Sequence, residues 1–343
     1  MGARRLLVAA GAAATVALAA CSAPTETSAP SETSAPPGPS RAPASSSPPA
    51  PPVSSPGRPV PDVPVADVQA HLVQLQRIAE ANGGNRAHGR PGHLAGLEYV
   101  RSALDAAGYT TTLQEFSSGG TGYNLVADWP GGDENAVMMF GAHADGVAAG
   151  PGINDNGSGT AALLEVALTV AEQDPRPARQ LRFAWWGAEE VGLVGSAHYV
   201  RRLPADELER IDGYLNFDMI ASPNGGYFVY SSSGQPEGSA AFERLLNGHF
   251  ADAGIETEPV DLAGRSDHAP FADAGIPTGG VFTGAEGTKT PEQARKWGGT
   301  AGKPFDPCYH RACDTTANID PELLGRTTAA LAAAVWTLSQ EDG

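Results

Sequence analysis

From residue 62 onward, short β-rich runs bounded by glycine alternate with amphipathic helical patterns, and this alternation confines the chain to the α/β folds. Residues 65–81 carry Val68, Leu72, Leu75 and Ile78 at helical spacing, and 94–107 repeat the pattern with Leu97, Val100 and Leu104. Strands are predicted at 110–116, 123–129, 136–140, 181–186, 214–217, 227–230 and 280–282, with further helices at 159–172, 196–201, 239–253 and 321–339. No internal repeat and no second linker interrupts the series. The expectation is one α/β domain, a central, mostly parallel mixed β-sheet flanked by helices, whose chemistry collects beyond the carboxyl ends of the strands.

The preceding residues are of another kind. Arg4 and Arg5 lead into an apolar stretch, 6–20, which is too short for a membrane span and reads as a secretory signal at 1–20. It closes on Leu18-Ala19-Ala20-Cys21, which resembles the bacterial lipobox and implies lipidation of Cys21, a membrane anchor and an extracytoplasmic location. An ordinary signal peptide with a chance cysteine, and a secreted protein, is the alternative. Residues 22–61 hold 13 of the 29 prolines among Ser, Ala, Thr and Gly, so this stretch has almost nothing to bury and is expected to be an extended, disordered tether. The domain boundaries are therefore 1–20, 21–61 and 62–343.

Charge and cysteine count exclude several classes. With 22 Lys+Arg against 39 Asp+Glu the formal net charge is −17, which argues against a nucleic-acid partner. Glu26 and Glu32 cancel Arg41 and Arg58 in the tether, so the acidic excess belongs to 62–343. Three cysteines cannot build a disulfide scaffold.

The polar residues that follow the strands are where the acidity becomes specific. The run 137–142 leads into His143 and Asp145; 181–187 leads into Glu189 and Glu190; 214–217 leads into Asp218. A glycine-rich loop, 150–159, places Asp155 just ahead of a helix. Carboxylates gathered at one sheet edge repel, and one takes up a proton unless a cation intervenes. His with Asp and Glu is a ligand mix that zinc favours. For any one of these residues a surface acid is an equal explanation; the convergence of the set is what points to metal.

Six motifs then occur in order: His143-Ala-Asp145, Gly152-Ile-Asn-Asp155-Asn-Gly-Ser-Gly, Trp185-Trp-Gly-Ala-Glu189-Glu190, Asn216-Phe-Asp218-Met-Ile, Arg265-Ser-Asp-His-Ala-Pro-Phe and Cys308-Tyr-His310. Together they resemble the secreted di-zinc aminopeptidases typified by the Streptomyces leucine-preferring enzyme, over essentially all of 62–339. The resemblance implies a zinc-peptidase fold, two zinc ions per chain, and the following roles. Asp155 bridges the metals, His143 and Asp218 complete one site, and Glu190 and His310 the other. Asp145 orients the His143 imidazole. Glu189 is the general base, Tyr309 donates to the developing oxyanion, and Arg265 binds near the substrate carbonyl. A cis peptide is implied at Asp155-Asn156. Glu189 and Asp218 face the ammonium group of a peptide with a free N-terminus, and Met219 and Phe282 line a pocket for Leu, Phe or Met.

His71, His93, His198 and His249 read as surface or packing residues and His88 as structural; His268, beside Asp267, is the competing metal ligand, a role the resemblance does not support. Cys308 and Cys313 bracket Tyr309 and His310, and with Cys21 assigned to lipid they are the remaining pair, a disulfide or a free inert pair. Some secreted relatives bind calcium between an N-terminal acid, here Asp62, and carboxylates of the last helix; positions 325 and 327–329 are Gly, Thr, Thr and Ala, so calcium is not predicted. A monomer is expected. The alternatives are a single-zinc glutaminyl cyclase, a non-catalytic anchored binding protein on the same fold, and a carboxypeptidase using Arg265.

Overall fold

The computed structural model describes residues 59–340, so the leader, Cys21 and nearly all of the tether lie outside the described residues. Helices α1 (Val65–Ala81) and α2 (Pro91–Ala106) bury the apolar stripes that their spacing sets out, Val68, Leu72 and Leu75 on the first and Leu97, Val100 and Leu104 on the second. The second helix starts earlier than its apolar pattern because Pro91 suits a first helical turn, where a missing N–H costs nothing.

The strands are β1 (Thr110–Ser117), β2 (Thr121–Asp128), β3 (Asp133–His143), β4 (Arg179–Trp186), β5 (Ile211–Phe217), β6 (Phe228–Tyr230), β7 (Glu258–Val260) and β8 (Thr278–Phe282). They form an eight-stranded mixed sheet in the order β1-β2-β4-β3-β5-β8-β6-β7. The four central strands, β4-β3-β5-β8, are mutually parallel, and antiparallel pairs flank them. Interspersed helices are α3 (Gly159–Gln173), α4 (Val194–Arg202), α5 (Ala205–Leu208), α6 (Ser239–Asp252), α7 (Ala269–Asp273), α8 (Pro291–Trp297) and α9 (Pro321–Gln340). The elements absent from the sequence reading, β7, α5, α7 and α8, span three to seven residues, too few for a periodic signal.

Strand alternation sorts the core. Met138, Phe140 and Ala142 of β3, Leu181, Phe183 and Trp185 of β4, and Leu215 and Phe217 of β5 enter a large core shared with α1, α2, α3, α6 and α9. Their neighbours Val137, Met139, Ala184, Trp186 and Tyr214 enter a smaller one closed by Tyr199 and Val200 of α4 and Phe271 of α7. Both faces of the central strands are thus covered, as parallel strands require. The register pairs His143 with Trp186 and Gly141 with Asn216, so three parallel strands end side by side. Whatever follows them is brought to one edge by backbone pairing alone.

Candidate metal centre

His143 is the last residue of β3 and is buried. Its Nδ1 lies 3.2 Å from the Asp145 carbonyl oxygen and 3.6 Å from the Asp145 carboxylate, both acceptors, so the ring N–H sits there and the Nε2 lone pair faces the other way. That lone pair looks onto Asp155 Oδ1 and Asp218 Oδ1, each at 3.3 Å. On the other side, His310 Nε2 stands 3.1 Å from Asp155 Oδ2 and 2.9 Å from Glu190 Oε2. The two oxygens of one carboxylate therefore each serve a different histidine.

Several of these side chains are held from behind. Asp218 Oδ2 accepts from the Ser266 hydroxyl at 2.6 Å, and Ser266 accepts in turn from Asn216 Nδ2, which leaves Oδ1 free toward His143. Asp155 joins Asn156 through the cis peptide that the motif implied. The Asn156 amide clasps its surroundings, donating to the Phe217 carbonyl and accepting from the backbone N–H of Gly159 and Met219. Gly159 has no alternative here, because a Cβ would lie 2.1 Å from the Phe217 carbonyl oxygen. Asp314 receives the backbone N–H groups of Asn154 and Asp155. After β4, Ala188 adopts φ 58°, and this left-handed turn lets the adjacent Glu189 and Glu190 diverge, one into each cluster. Asp145 Oδ1 accepts the Glu189 backbone N–H at 3.1 Å, so a single carboxylate steadies both the His143 strand and the Glu189 turn. The Cys308–Cys313 disulfide is present and closes the loop carrying Tyr309 and His310.

The electrostatics call for cations at both places. Burial works against a charged His143 ring, yet Asp218, Glu189 and the contacts to Asp145 and Asp155 outweigh it and raise the imidazole well above its ordinary value. His310 is pushed up to about 10, chiefly by its contacts with Asp155 and Glu190. Burial pushes Glu190 up to about 7, with Asp155 adding to the rise, and burial likewise lifts Glu189 well above the carboxylate range. Asp155 is held below that range, the two histidines overcoming its burial. Asp155 Oδ2, Asp218 Oδ1 and Glu190 Oε1 are buried and accept no hydrogen bond among the described residues. These residues fit a metal: tetrahedral zinc with ligands at about 2.0–2.1 Å separates adjacent donors by about 3.3 Å, close to the 2.9–3.3 Å found here. His143, Glu189 and Asp218 offer atoms within 4.8 Å of one another, as do Asp155, Glu190 and His310.

Both clusters open into a cavity of about 450 Å³. The predicted Met219, Phe282, Arg265 and Tyr309 all line it. Sequence reasoning missed Phe228, Val260, Leu262 and Phe305, which extend the apolar wall. Tyr309 stacks on the His310 ring at 3.8 Å between centroids, and burial, then Asp155 and Glu190, raises its phenol and keeps it a proton donor.

Ser266, Asp267, Asp306 and Asp314 are further buried polar residues that the sequence reading did not assign. Ser266 and Asp267 adjoin Arg265 in a motif already singled out; Asp306 and Asp314 flank the disulfide loop, and adjacency to that motif is the signal that would have found them. Arg86 is fully buried and donates to the carbonyls of Ala144, Pro151 and Gly152, tying together the loops that carry Asp145 and Asp155. Of the remaining histidines, His268 packs edge-on against Tyr230, His88 meets the Ser118 carbonyl and His93 that of Tyr123. His71 links Tyr99 and Glu165 across three helices.

A family model described as Peptidase family M28 matches residues 124–335. Leupeptin-inactivating enzyme 1 of Streptomyces exfoliatus is 58% identical over 280 residues, covering 81% of this chain and 63% of that protein. A probable lipoprotein aminopeptidase of Mycobacterium tuberculosis is 48% identical over 245 residues, covering 68% of this chain and 48% of that protein. The chain thus spans less than two thirds of the length of either relative. Among solved structures, BSAP, a zinc aminopeptidase from Bacillus subtilis, superposes with a TM-score of 0.69 at 18% identity, over 83% of this chain and 97% of that one. At that identity the likeness is one of fold.

Proposed function

The chain belongs to Peptidase family M28, and from that premise we propose that residues 62–343 form a zinc-dependent aminopeptidase that removes large hydrophobic N-terminal residues, Leu, Phe or Met, from peptides. The observation that carries this reading is the shared carboxylate: Asp155 Oδ1 faces His143 and Oδ2 faces His310. His143, Asp155 and Asp218 would hold one zinc ion, and Asp155, Glu190 and His310 the second. Bound there, zinc supplies Lewis acidity, acidifying water and polarising a carbonyl.

The chain's own groups do the rest. Glu189, beside His143 and Asp218, takes a proton from the attacking water and passes it to the leaving amine. Tyr309 donates to the oxyanion, and Arg265 steadies the carbonyl from the cavity rim. Glu189 and Asp218 present negative charge to the substrate ammonium group, so acetylated substrates should bind poorly. Met219, Phe282, Phe228 and Phe305 receive the side chain. A single-metal enzyme would leave one of the two clusters without a role.

Purified protein should contain two zinc equivalents and hydrolyse Leu-p-nitroanilide, losing that activity to chelators and regaining it with zinc. Well-metallated protein inert on every substrate with a free N-terminus would overturn the reading. Comparing N-blocked with C-blocked dipeptides separates an aminopeptidase from a carboxypeptidase.

The same proposal takes 1–20 as a signal peptide, Cys21 as a lipid anchor and 22–61 as the tether of a monomeric, extracytoplasmic enzyme; a probable lipoprotein among the relatives supports it. Mass spectrometry of the mature N-terminus should find diacylglycerol on Cys21. A soluble form cleaved elsewhere would sink the anchor.

A further inference from the structure

At the mouth of the cavity Arg265 is not free. Its Nη2 donates to Glu286 Oε1 at 3.0 Å, and both side chains are largely exposed, 61% and 55%. The partners come from different walls: Arg265 from the loop between β7 and α7, Glu286 from the loop after β8. Glu286 is the first influence holding the guanidinium above its ordinary value, and Tyr309 contributes further down. The cation assigned to the substrate carbonyl thus already rests against a carboxylate.

Hydrolysis changes what Arg265 meets. The scissile carbonyl of a peptide is neutral, whereas the released amino acid carries a new carboxylate, the same group that Glu286 supplies. A cation placed at the carbonyl would therefore hold product more strongly than substrate, and slow product release limits turnover in many enzymes. An exposed ion pair is weak enough to open for substrate and strong enough to compete with a second carboxylate.

Resting on the aminopeptidase reading, we propose that Glu286 is a built-in carboxylate competitor for Arg265: it positions the guanidinium in the free enzyme, yields it to the substrate carbonyl, and reclaims it from the carboxylate of the released amino acid. Among the described residues the hydrogen bond and ion pair of Glu286 are with Arg265, so in this proposal it acts through that residue.

The test compares inhibition by leucine and by leucinol, which share side chain and amine but differ in the carboxylate. In Glu286→Gln the inhibition constant for leucine should fall about three- to fivefold relative to that for leucinol, the size an exposed pair supports. Glu286→Asp should restore part of the difference, and in an Arg265→Gln background Glu286→Gln should leave the ratio unmoved. A ratio unchanged in the single variant, or a shift that persists without Arg265, overturns the proposal. Wild-type protein that fails to hydrolyse Leu-p-nitroanilide at all would instead fell the aminopeptidase reading.

Discussion

The two ends of the central sheet carry cavities of comparable size and opposite character. At the amino ends of the strands a cleft of about 560 Å³ is lined by Asp128, Glu134, Arg182, Glu207 and Arg210. There Arg182 grips Asp128 with two bonds, at 2.6 and 2.9 Å, and donates a third to Tyr199. The carboxyl-end cavity is smaller, about 450 Å³, and among the described residues its buried acids meet two histidines but neither lysine nor arginine at ion-pair distance. Size does not mark the end proposed to carry the function. What marks it is negative charge that the chain buries without supplying enough cation to balance it, since such a site stays ionised only when something positive arrives from outside.

The comparison can be broken or sharpened by substitution. The largest effect should come from Glu189→Ala, which removes the proposed base while leaving the five proposed ligands; kcat should fall by about 10³–10⁴ with zinc content intact by elemental analysis. Retention of near-normal rates would remove Glu189 from its role. Tyr309→Phe, which deletes one hydroxyl from the same cavity, should lower kcat about 10²-fold with little change in KM, as initial rates on Leu-p-nitroanilide will show. Arg182→Met at the opposite end should do the reverse: stability falls by about 2 kcal/mol as Asp128 and Tyr199 lose their partner, measurable by urea denaturation, while kcat/KM stays near wild type. If that substitution cuts activity as deeply as Tyr309→Phe, the two ends are not separate in function.

The smallest expected effect lies at the border of the site. Burial lowers His268 to about 4. The unfolded chain takes up a proton there as pH drops through about 6.5, whereas the folded ring resists until about 4. Stability from this residue is therefore present above pH 6.5 and is lost progressively as pH falls toward 4. Thermal melts of His268→Gln should show a shallower loss between about pH 6.5 and pH 5, by on the order of 1–2 kcal/mol. A loss as steep as wild type would place the acid sensitivity elsewhere.

Much of the site was legible because parallel strands read as uninterrupted apolar runs, and the residue after each run lies at a predictable edge. His143, Asp218 and the Glu189–Glu190 pair were found in this way, and Asp155 from its glycine-rich loop. The cis peptide that the resemblance implied is present, and so is a disulfide between Cys308 and Cys313, the two cysteines left once Cys21 was assigned to lipid. Less was visible where an element is short or a residue's importance lies in what it touches. The three-residue strand β7 supplies Val260 to the cavity wall, and nothing in its composition announces a strand. Arg86 stands in a loop 57 positions before His143, and only the fold reveals that its guanidinium collects three carbonyls beneath the acids.

Sequence alone carries the α/β alternation and the strand-end placement of the histidine and carboxylates; the proposed division into leader, tether and domain rests on it too and awaits the N-terminal measurement. These follow from local chemistry: side-chain periodicity, β-branching, and the punctuation of glycine and proline. Tertiary structure alone decided that the two oxygens of Asp155 face different histidines, that Ser266 occupies one oxygen of Asp218 and frees the other, and that Arg265 and Glu286 meet across the mouth. Those arrangements depend on distances of a few ångströms between segments far apart in the chain, which packing sets and no local pattern encodes.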